Sequence, residues 1–303
     1  MSSETLDARI GKDGPFERFA NTPEGIEALA GFCKTHNAEL AAMEATGGYE
    51  KQPFGLLWTQ GIPVAIVNPR AVRQFAQGMG LLEKTDRIDA GVIAWFAEVK
   101  RIVPCIPASD AQEQLAALVT RLRQLTDLRV AQTNQRRLVT NPSVLKVFAD
   151  MLALVTRQIR SLEAEIAGLI DDDPLWQTLD RAFREIKGVA DRTVARLMAD
   201  LPEIGTLSGK AISKLAGLAP LANDSGKHSG KRTVRGGRST VRSILFIVAE
   251  VVRKYDVDFA AFHKKLSDAG KPKKVIRTAI AHKLLVRLNA KARDARSMFE
   301  CAT

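Results

Sequence analysis

Between residues 110 and 172 apolar side chains recur at spacings of three and four. Leu115, Leu118, Leu122 and Leu125 form one run, and Val155, Ile159, Leu162, Ile166 and Leu169 form a second. Such spacing brings side chains to one face only in an α-helix. Asn141-Pro142 separates the runs. The pattern therefore predicts two long helices, either paired with each other as a hairpin or associating with another copy as a coiled coil. Asp171-Asp172-Asp173-Pro174 ends the second run. The chain then reads as three parts, 1–108, 109–175 and 176–303, and the first and last must each find their own core.

Charge follows the same division. Residues 1–110 carry 11 Lys and Arg against 14 Asp and Glu, residues 111–179 carry 8 of each, and residues 180–303 carry 26 against 12. The whole excess of +11 thus lies in the last part, which suits a polyanion because each neutralised phosphate releases counterions. A strongly solvated surface is the alternative. No apolar run reaches the roughly 18 residues that a membrane helix needs. The opening residues lack a signal-peptide pattern. Cys33, Cys105 and Cys301 are far apart and the four histidines have no ligand spacing, which argues against zinc and fits a reducing cytoplasm.

The first part alternates strand and helix signals. Thr5 to Ile10 and Phe16 to Ala20 flank a turn-rich Gly11-Lys12-Asp13-Gly14-Pro15 and read as a hairpin. Thr22 and Pro23 open a helix that runs to about His36-Asn37. Glu39 to Glu44 and Pro63 to Val67 are apolar strands separated by a helix over about Gln52 to Thr59, which implies a parallel pair. Glu44 ends the first of these strands, where ligands commonly bind in α/β sheets. Asp86 and Asp89 stand three residues apart at the start of an apolar helix reaching about Val99, so both project from one face. Three carboxylates without His or Cys make an oxygen-only donor set, suited to Mg²⁺ or Mn²⁺ and to phosphodiester chemistry. Asp86 is equally suited to a plain helix cap.

The last part reads as helical with Gly- and Ser-rich interruptions. Around Lys187-Gly188, a helix, a glycine turn and a second helix opened by Asp191 fit either a helix-hairpin-helix that offers N–H groups to phosphate or an ordinary helical hairpin. The densest polar stretch runs from Asn223 to Arg238 and precedes an apolar helix over Val241 to Val252. Small residues there let a phosphate chain approach, and Lys187, Lys227, Lys231, Arg232, Arg235, Arg238 and Arg242 are the candidate nucleic-acid contacts. A serine in this setting could attack phosphorus if its proton were taken up. The residues alone leave both Ser225 and Ser229 open, and leave a simple basic clamp open too.

Several segments resemble one known family in order. Ala42-Met43-Glu44-Ala45-Thr46-Gly47-Gly48-Tyr49, Val67-Asn68-Pro69-Arg70 and Lys84-Thr85-Asp86-Arg87-Ile88-Asp89-Ala90 resemble the N-terminal domain of bacterial insertion sequence 110 family transposases. Leu215-Ala216-Gly217-Leu218-Ala219-Pro220 with Ser225-Gly226, Ala269-Gly270-Lys271-Pro272-Lys273-Lys274, His282-Lys283-Leu284-Leu285 and Leu288-Asn289-Ala290 resemble its C-terminal serine domain. The resemblance implies an α/β RNase H-like (RuvC-like) N-terminal domain whose four acidic residues (the DEDD set) bind Mg²⁺. A long helical hairpin or coiled coil and a mainly α-helical C-terminal domain would follow. Glu44, Asp86 and Asp89 match the second, third and fourth acidic positions, and Ser225 matches a nucleophile that forms a transient phosphoserine link to DNA. The family also implies a structured guide RNA and assembly as dimers or tetramers, with the helices of 110–172 as the contact.

One departure stands out. The family's opening strand ends Asp-Val-Ser-Lys before Thr-Leu-Asp, and here Met1-Ser2-Ser3-Glu4-Thr5-Leu6-Asp7 aligns with Met1 in the valine position. The first acidic residue and its strand would then lie upstream of residue 1. Asp7, on the following strand, is not its substitute. Either the start was assigned too late, at a codon such as GTG, or the element has decayed. The expected function is a transposase or site-specific DNA recombinase. The alternatives are a RuvC-like structure-specific nuclease, which uses water and leaves no protein–DNA adduct, and a truncated remnant that only binds nucleic acid.

Overall fold

The computed structural model describes residues 2–83, 85–226 and 228–302. The chain forms two compact units, Met1–Ala108 and Ser109–Thr303.

In the first unit, β1 (Thr5–Arg9) and β2 (Phe16–Ala20) pair antiparallel, with Thr5 opposite Ala20 and Arg9 opposite Phe16. The connecting turn needs glycine, since a Cβ on Gly14 would stand 2.3 Å from the Ile10 carbonyl oxygen. Helix α1 (Pro23–Thr35) begins as expected: the Thr22 hydroxyl accepts from the Gly25 N–H at 3.2 Å and Pro23 fills the first turn. Its buried face is Ile26, Leu29, Ala30 and Cys33. β3 (Ala41–Glu44), α2 (Lys51–Thr59) and β4 (Val64–Val67) then make a crossover unit, and β3 lies parallel to β4. Leu57, Val64 and Ala65 are fully enclosed between helix and strands.

Helix α3 (Pro69–Gly78) was not anticipated from the sequence, although Asn68 caps it by accepting from Arg70 N–H at 2.9 Å and Pro69 opens it. Helix α4 (Asp86–Lys100) is capped by Thr85, whose hydroxyl accepts from Ile88 N–H. Phe75 of α3 meets Trp95 and Phe96 of α4 edge to face, at 5.0 and 5.5 Å between ring centres. Among the described residues the strands of this unit remain two separate pairs, β1–β2 and β3–β4.

The second unit is helical apart from one small hairpin. Helices α5 (Asp110–Arg136) and α6 (Pro142–Asp172) are the two long helices, capped by Ser109 and Asn141. They pack on each other, Leu115, Val119, Leu122 and Leu125 sharing a core with Val155, Ile159, Ile166 and Ile170. The opposite half of the pair is uncovered: Val144, Val147, Met151 and Leu154 of α6 are all exposed. Then follow α7 (Pro174–Arg184), α8 (Asp191–Asp200), α9 (Gly209–Leu215), β5 (Asp224–Ser225), β6 (His228–Ser229), α10 (Ser239–Tyr255), α11 (Val257–Asp268) and α12 (Lys273–Ala302). Phe183, Leu197, Leu245, Phe259, Leu284 and Leu288 join the same core as the long pair. Each such buried side chain stabilises the fold by about 1.5–3 kcal/mol. Asn289 is the polar anchor within it. Its amide accepts from Gly205 N–H and donates to the Leu207 carbonyl, both at 2.9 Å, and so ties α12 to the loop before α9.

Candidate active site

The acidic residues converge on one cavity. Glu44 stands at the end of β3, immediately before a loop that turns through Gly47 (φ +74°) and Gly48 (φ +111°). Glu50 holds this loop: one of its carboxylate oxygens accepts from the N–H groups of Thr46 and Gly48, each at 2.9 Å. Partial burial works to raise the Glu50 carboxyl. The backbone N–H groups, its own included, outweigh that and keep it below the ordinary carboxylate range. Asp86 and Asp89 occupy the first turn of α4 because Thr85 starts the helix there. Glu44, Asp86 and Asp89 all line a cavity of about 740 Å³ within this unit.

One further acidic residue belongs to this wall. Asp7 of β1 also lines the cavity, with a side chain only 3% exposed, and Arg18 of β2 donates to it from Nε at 2.7 Å. A second nitrogen of Arg18 reaches to 3.9 Å from Asp86. Periodicity gave no signal for this pair, since the facing of two residues eleven apart depends on the hairpin register. Asp86 itself is 66% exposed. Among the described residues no three His, Cys, Asp or Glu side chains are gathered closely enough to hold a metal ion. The carboxylates thus share a cavity with oxygen-only donor chemistry without forming a closed ligand cluster.

In the second unit Ser225 is exposed on a short arm. β5 and β6 pair antiparallel with Ser225 opposite His228, and the tip holds Gly226 in the left-handed region (φ +54°) that tight hairpins require. Lys227 lies outside the described residues. The arm is tied at several levels. Asp224 accepts from Gly230 N–H at 3.0 Å and from the Arg232 guanidinium at 2.7 Å. The Arg232 hydrogen bond, ahead of smaller contributions, lowers the Asp224 carboxyl from its ordinary value. Leu221 and Thr233 form an antiparallel bridge. At the base, Gly217 and Gly236-Gly237 meet backbone to backbone. A Cβ on Gly217 would come within 2.1 Å of the Gly236 oxygen, and one on Gly237 within 2.2 Å of the Gly217 nitrogen. These glycines explain why Leu215-Ala216-Gly217 and Arg235-Gly236-Gly237 flank the serine, a relationship that no local pattern reveals.

The basic candidates differ in what they already hold. Lys187, Lys231 and Arg235 are exposed. Arg232 is engaged by Asp224, Arg242 donates to the Gly236 carbonyl, and Arg238 forms a two-pronged pair with Glu203 at 2.6 Å per contact. The glycine turn before α8 packs Gly188 (φ +103°) onto Val251 and Val252 of α10. At the start of α8, Asp191 pairs with Arg184 at 2.5 Å.

Comparison with known proteins assigns both units. Residues 10–140 match a family model for the DEDD transposase of IS110 elements, described as a transposase. Residues 180–264 match a model described as the transposase IS116/IS110/IS902 family. The chain belongs to the insertion sequence 110 family of transposases. Pilin gene-inverting proteins of Moraxella lacunata and Moraxella bovis are each 27% identical to it over 284 residues, spanning 88% of this chain and 85% of theirs. Membership places the chain among DNA-acting transposases and recombinases, and its α/β first unit is consistent with the RNase H-like fold that a DEDD domain implies. Glu44, Asp86 and Asp89 fall within the first matched region, and Ser225 with all seven basic candidates falls within the second. Among the described residues no helix of this family member is long and apolar enough to cross a membrane.

Proposed function

We propose that this chain is a site-specific DNA recombinase that cuts and rejoins DNA through Ser225 of the second unit, and that Glu44, Asp86 and Asp89 of the first unit form its RuvC-like acidic site. The observation that carries the reading is the exposed Ser225, presented on a glycine-clamped arm in the most basic part of a transposase-family chain. In the first step the Ser225 oxygen forms a bond to phosphorus while a sugar oxygen leaves and takes up a proton. The DNA strand is then held as a phosphoserine ester, and attack by a sugar hydroxyl of the new strand reverses the step and frees the serine. Lys231 and Arg235 hold the flanking phosphates, while Asp224 keeps the arm folded through Arg232. The all-oxygen donor set of Glu44, Asp86 and Asp89 is of the kind that suits Mg²⁺; drawn together around the ion, these residues would hold it, and it would supply neutralisation of charge on the phosphate.

Partners follow from the same features. DNA is the substrate, and a structured guide RNA is a fitting second polyanion for a region carrying 26 basic against 12 acidic residues. Val144, Val147, Met151 and Leu154, exposed at spacings of three and four on α6, favour a dimer or tetramer. The gene-inverting relatives favour rejoining over simple cleavage.

A nicked or phosphorothiolate-trapped DNA substrate tests the serine directly. The full chain should yield a denaturation-resistant protein–DNA adduct that is lost in Ser225→Ala and kept in Ser229→Ala. An adduct that survives Ser225→Ala, or cleavage without any adduct, would overturn the reading in favour of another nucleophile or of a water-using nuclease.

A further inference from the structure

Across β1 and β2 the register decides which side chains meet. The flanking bonds, Ile10 N–H to the Pro15 carbonyl and Asn21 N–H to the Glu4 carbonyl, make the even-numbered residues of β1 the hydrogen-bonded ones. Asp7 and Arg18 stand directly opposite each other as a non-bonded pair, the arrangement that brings facing residues closest, with about 4.5 Å between Cα atoms. Their face of the hairpin is the one that α4 covers. Gly91 of α4 approaches so closely that an added Cβ would stand 2.5 Å from the Lys12 oxygen, and the Arg87 guanidinium lies 5.4 Å from the centre of the Phe16 ring. Arg18 is thereby set beside the first turn of α4, which Asp86 begins.

The two members of the pair are not equivalent. The Asp7 side chain is 3% exposed and lies behind, whereas that of Arg18 is 56% exposed and faces out. Nε of Arg18 spends its hydrogen bond on Asp7, and at 3.9 Å the second nitrogen is too far from Asp86 to make another. Among the described residues the Arg18 side chain makes no other hydrogen bond. Arg238, whose part is to hold the fold, spends both terminal nitrogens on Glu203. Arg18 instead is fixed through Nε and keeps its terminal nitrogens for an incoming acceptor, in a planar fork that matches the oxygens of a phosphate. Asp7, Glu44, Asp86 and Asp89 all line the same cavity, and so many carboxylates would repel a phosphodiester. A phosphate that approaches from solvent meets the cationic end of the Asp7–Arg18 pair first.

We infer that Arg18 is a further catalytic residue, whose terminal nitrogens bind a non-bridging oxygen of the phosphate reacting at the acidic site while Asp7 fixes the guanidinium from behind. Only the choice of reacting phosphate rests on the recombinase reading. Arg18 transfers no proton. It neutralises the charge that builds on the non-bridging oxygens as one P–O bond forms and another breaks.

Ethylation interference on a duplex carrying the element's end tests the contact without chemistry, using the full chain with the RNA it retains and no divalent metal. Ethylation at one phosphate should weaken binding of the natural chain and leave binding of Arg18→Gln unaffected, the other interfering positions being shared. Adduct formation in Mg²⁺ then tests catalysis. Arg18→Gln should lose about a hundredfold on the all-phosphate duplex. A methylphosphonate at that one position carries no charge to neutralise, so it should restore most of the loss. Asp7→Asn/Arg18→Gln leaves no buried carboxylate unpaired and should behave like Arg18→Gln, which separates the lost contact from a damaged fold. Identical interference patterns, an unchanged adduct yield, or a defect that methylphosphonate leaves in place would each overturn the inference. A natural chain that forms no adduct, yet loses that one position in Arg18→Gln, would overturn the recombinase reading and the catalytic role with it, leaving Arg18 a binding contact.

Discussion

Arg238 grips Glu203 with two guanidinium nitrogens, each 2.6 Å from a carboxylate oxygen, and also donates to the Asp200 carbonyl at 3.1 Å. A residue that the sequence offers as a phosphate contact is thereby committed to the fold, joining the start of α10 to the loop after α8. Partial burial alone would raise the Glu203 carboxyl; the paired guanidinium and the group's own backbone N–H together outweigh it and hold the group below its ordinary 4.5. A depressed carboxyl contributes stability that is complete above the ordinary range and is lost as pH falls through the folded value. The melting temperature of the natural chain should therefore exceed that of Glu203→Gln at neutral pH and converge with it as pH falls through that lowered value. Arg238→Ala should cost about 1–2 kcal/mol at pH 7, a buried-pair penalty reduced for the solvent access of this site.

Salt dependence of DNA binding separates the basic residues by what they already hold. Each phosphate contact removed lowers the slope of log affinity against log salt by about 0.9. Lys231→Ala and Arg235→Ala, both at exposed positions, should each reduce the slope by about that amount. Arg238→Ala should leave it unchanged once measured below the melting temperature. A lower slope for Arg238→Ala would mean that the Glu203 pair opens when DNA binds.

The arm that carries Ser225 depends on its glycine clamp. Gly217 has φ +68°, and a Cβ there meets the Gly236 oxygen at 2.1 Å, so Gly217→Ala combines backbone strain with a collision that no rotamer relieves. It should destabilise the second unit by about 2–4 kcal/mol. Gly226 also has positive φ, +54°, yet nothing lies within 4 Å of an added Cβ. Gly226→Ala should cost only about 1 kcal/mol. Thermal melts of the two variants decide this, and equal losses would show that the clamp contributes nothing beyond local conformation.

Local signals in the sequence locate most elements, and long-range relationships are where it falls silent. Thr22-Pro23 announces a helix start because capping is a property of adjacent residues, whereas the cap of α4 proved to be Thr85 and not Asp86. The spacing of Leu115, Leu122 and Leu125 announces a buried helical face for the same reason. Helix α3 escaped although Asn68-Pro69 is such a signal, its buried or half-buried Ala71, Val72, Phe75 and Ala76 spanning too short a stretch to show a period. Glu44, Asp86 and Asp89 could be nominated from strand ends and helix starts, but not Asp7, whose place depends on its pairing with Arg18 across the hairpin. Nor could Glu203 be matched to Arg238, 35 residues away, since neither position carries a local pattern.

Glu50 gives the sharpest test of how the acidic cavity is held. It binds the Thr46 and Gly48 N–H groups two and four residues after Glu44, so it governs the path of the chain as it leaves β3. Hydrogen bonds to a charged acceptor are worth about 1.5–3 kcal/mol each when buried, and less at this half-buried site. Glu50→Ala should free the loop with little loss of core stability, whereas Leu57→Ala at a fully buried position should cost about 2–5 kcal/mol. If the loop sets Glu44, the Mg²⁺ concentration giving half-maximal adduct formation should rise about tenfold in Glu50→Ala, equivalent to about 1.4 kcal/mol. Because the Glu50 carboxyl is depressed, its hold is complete at neutral pH and weakens as pH falls through its folded value. The Mg²⁺ requirement of the natural chain should accordingly rise toward that of Glu50→Ala on acidification. A Leu57→Ala protein with the same altered Mg²⁺ requirement would show instead that general loosening of the unit, rather than this loop, controls the site.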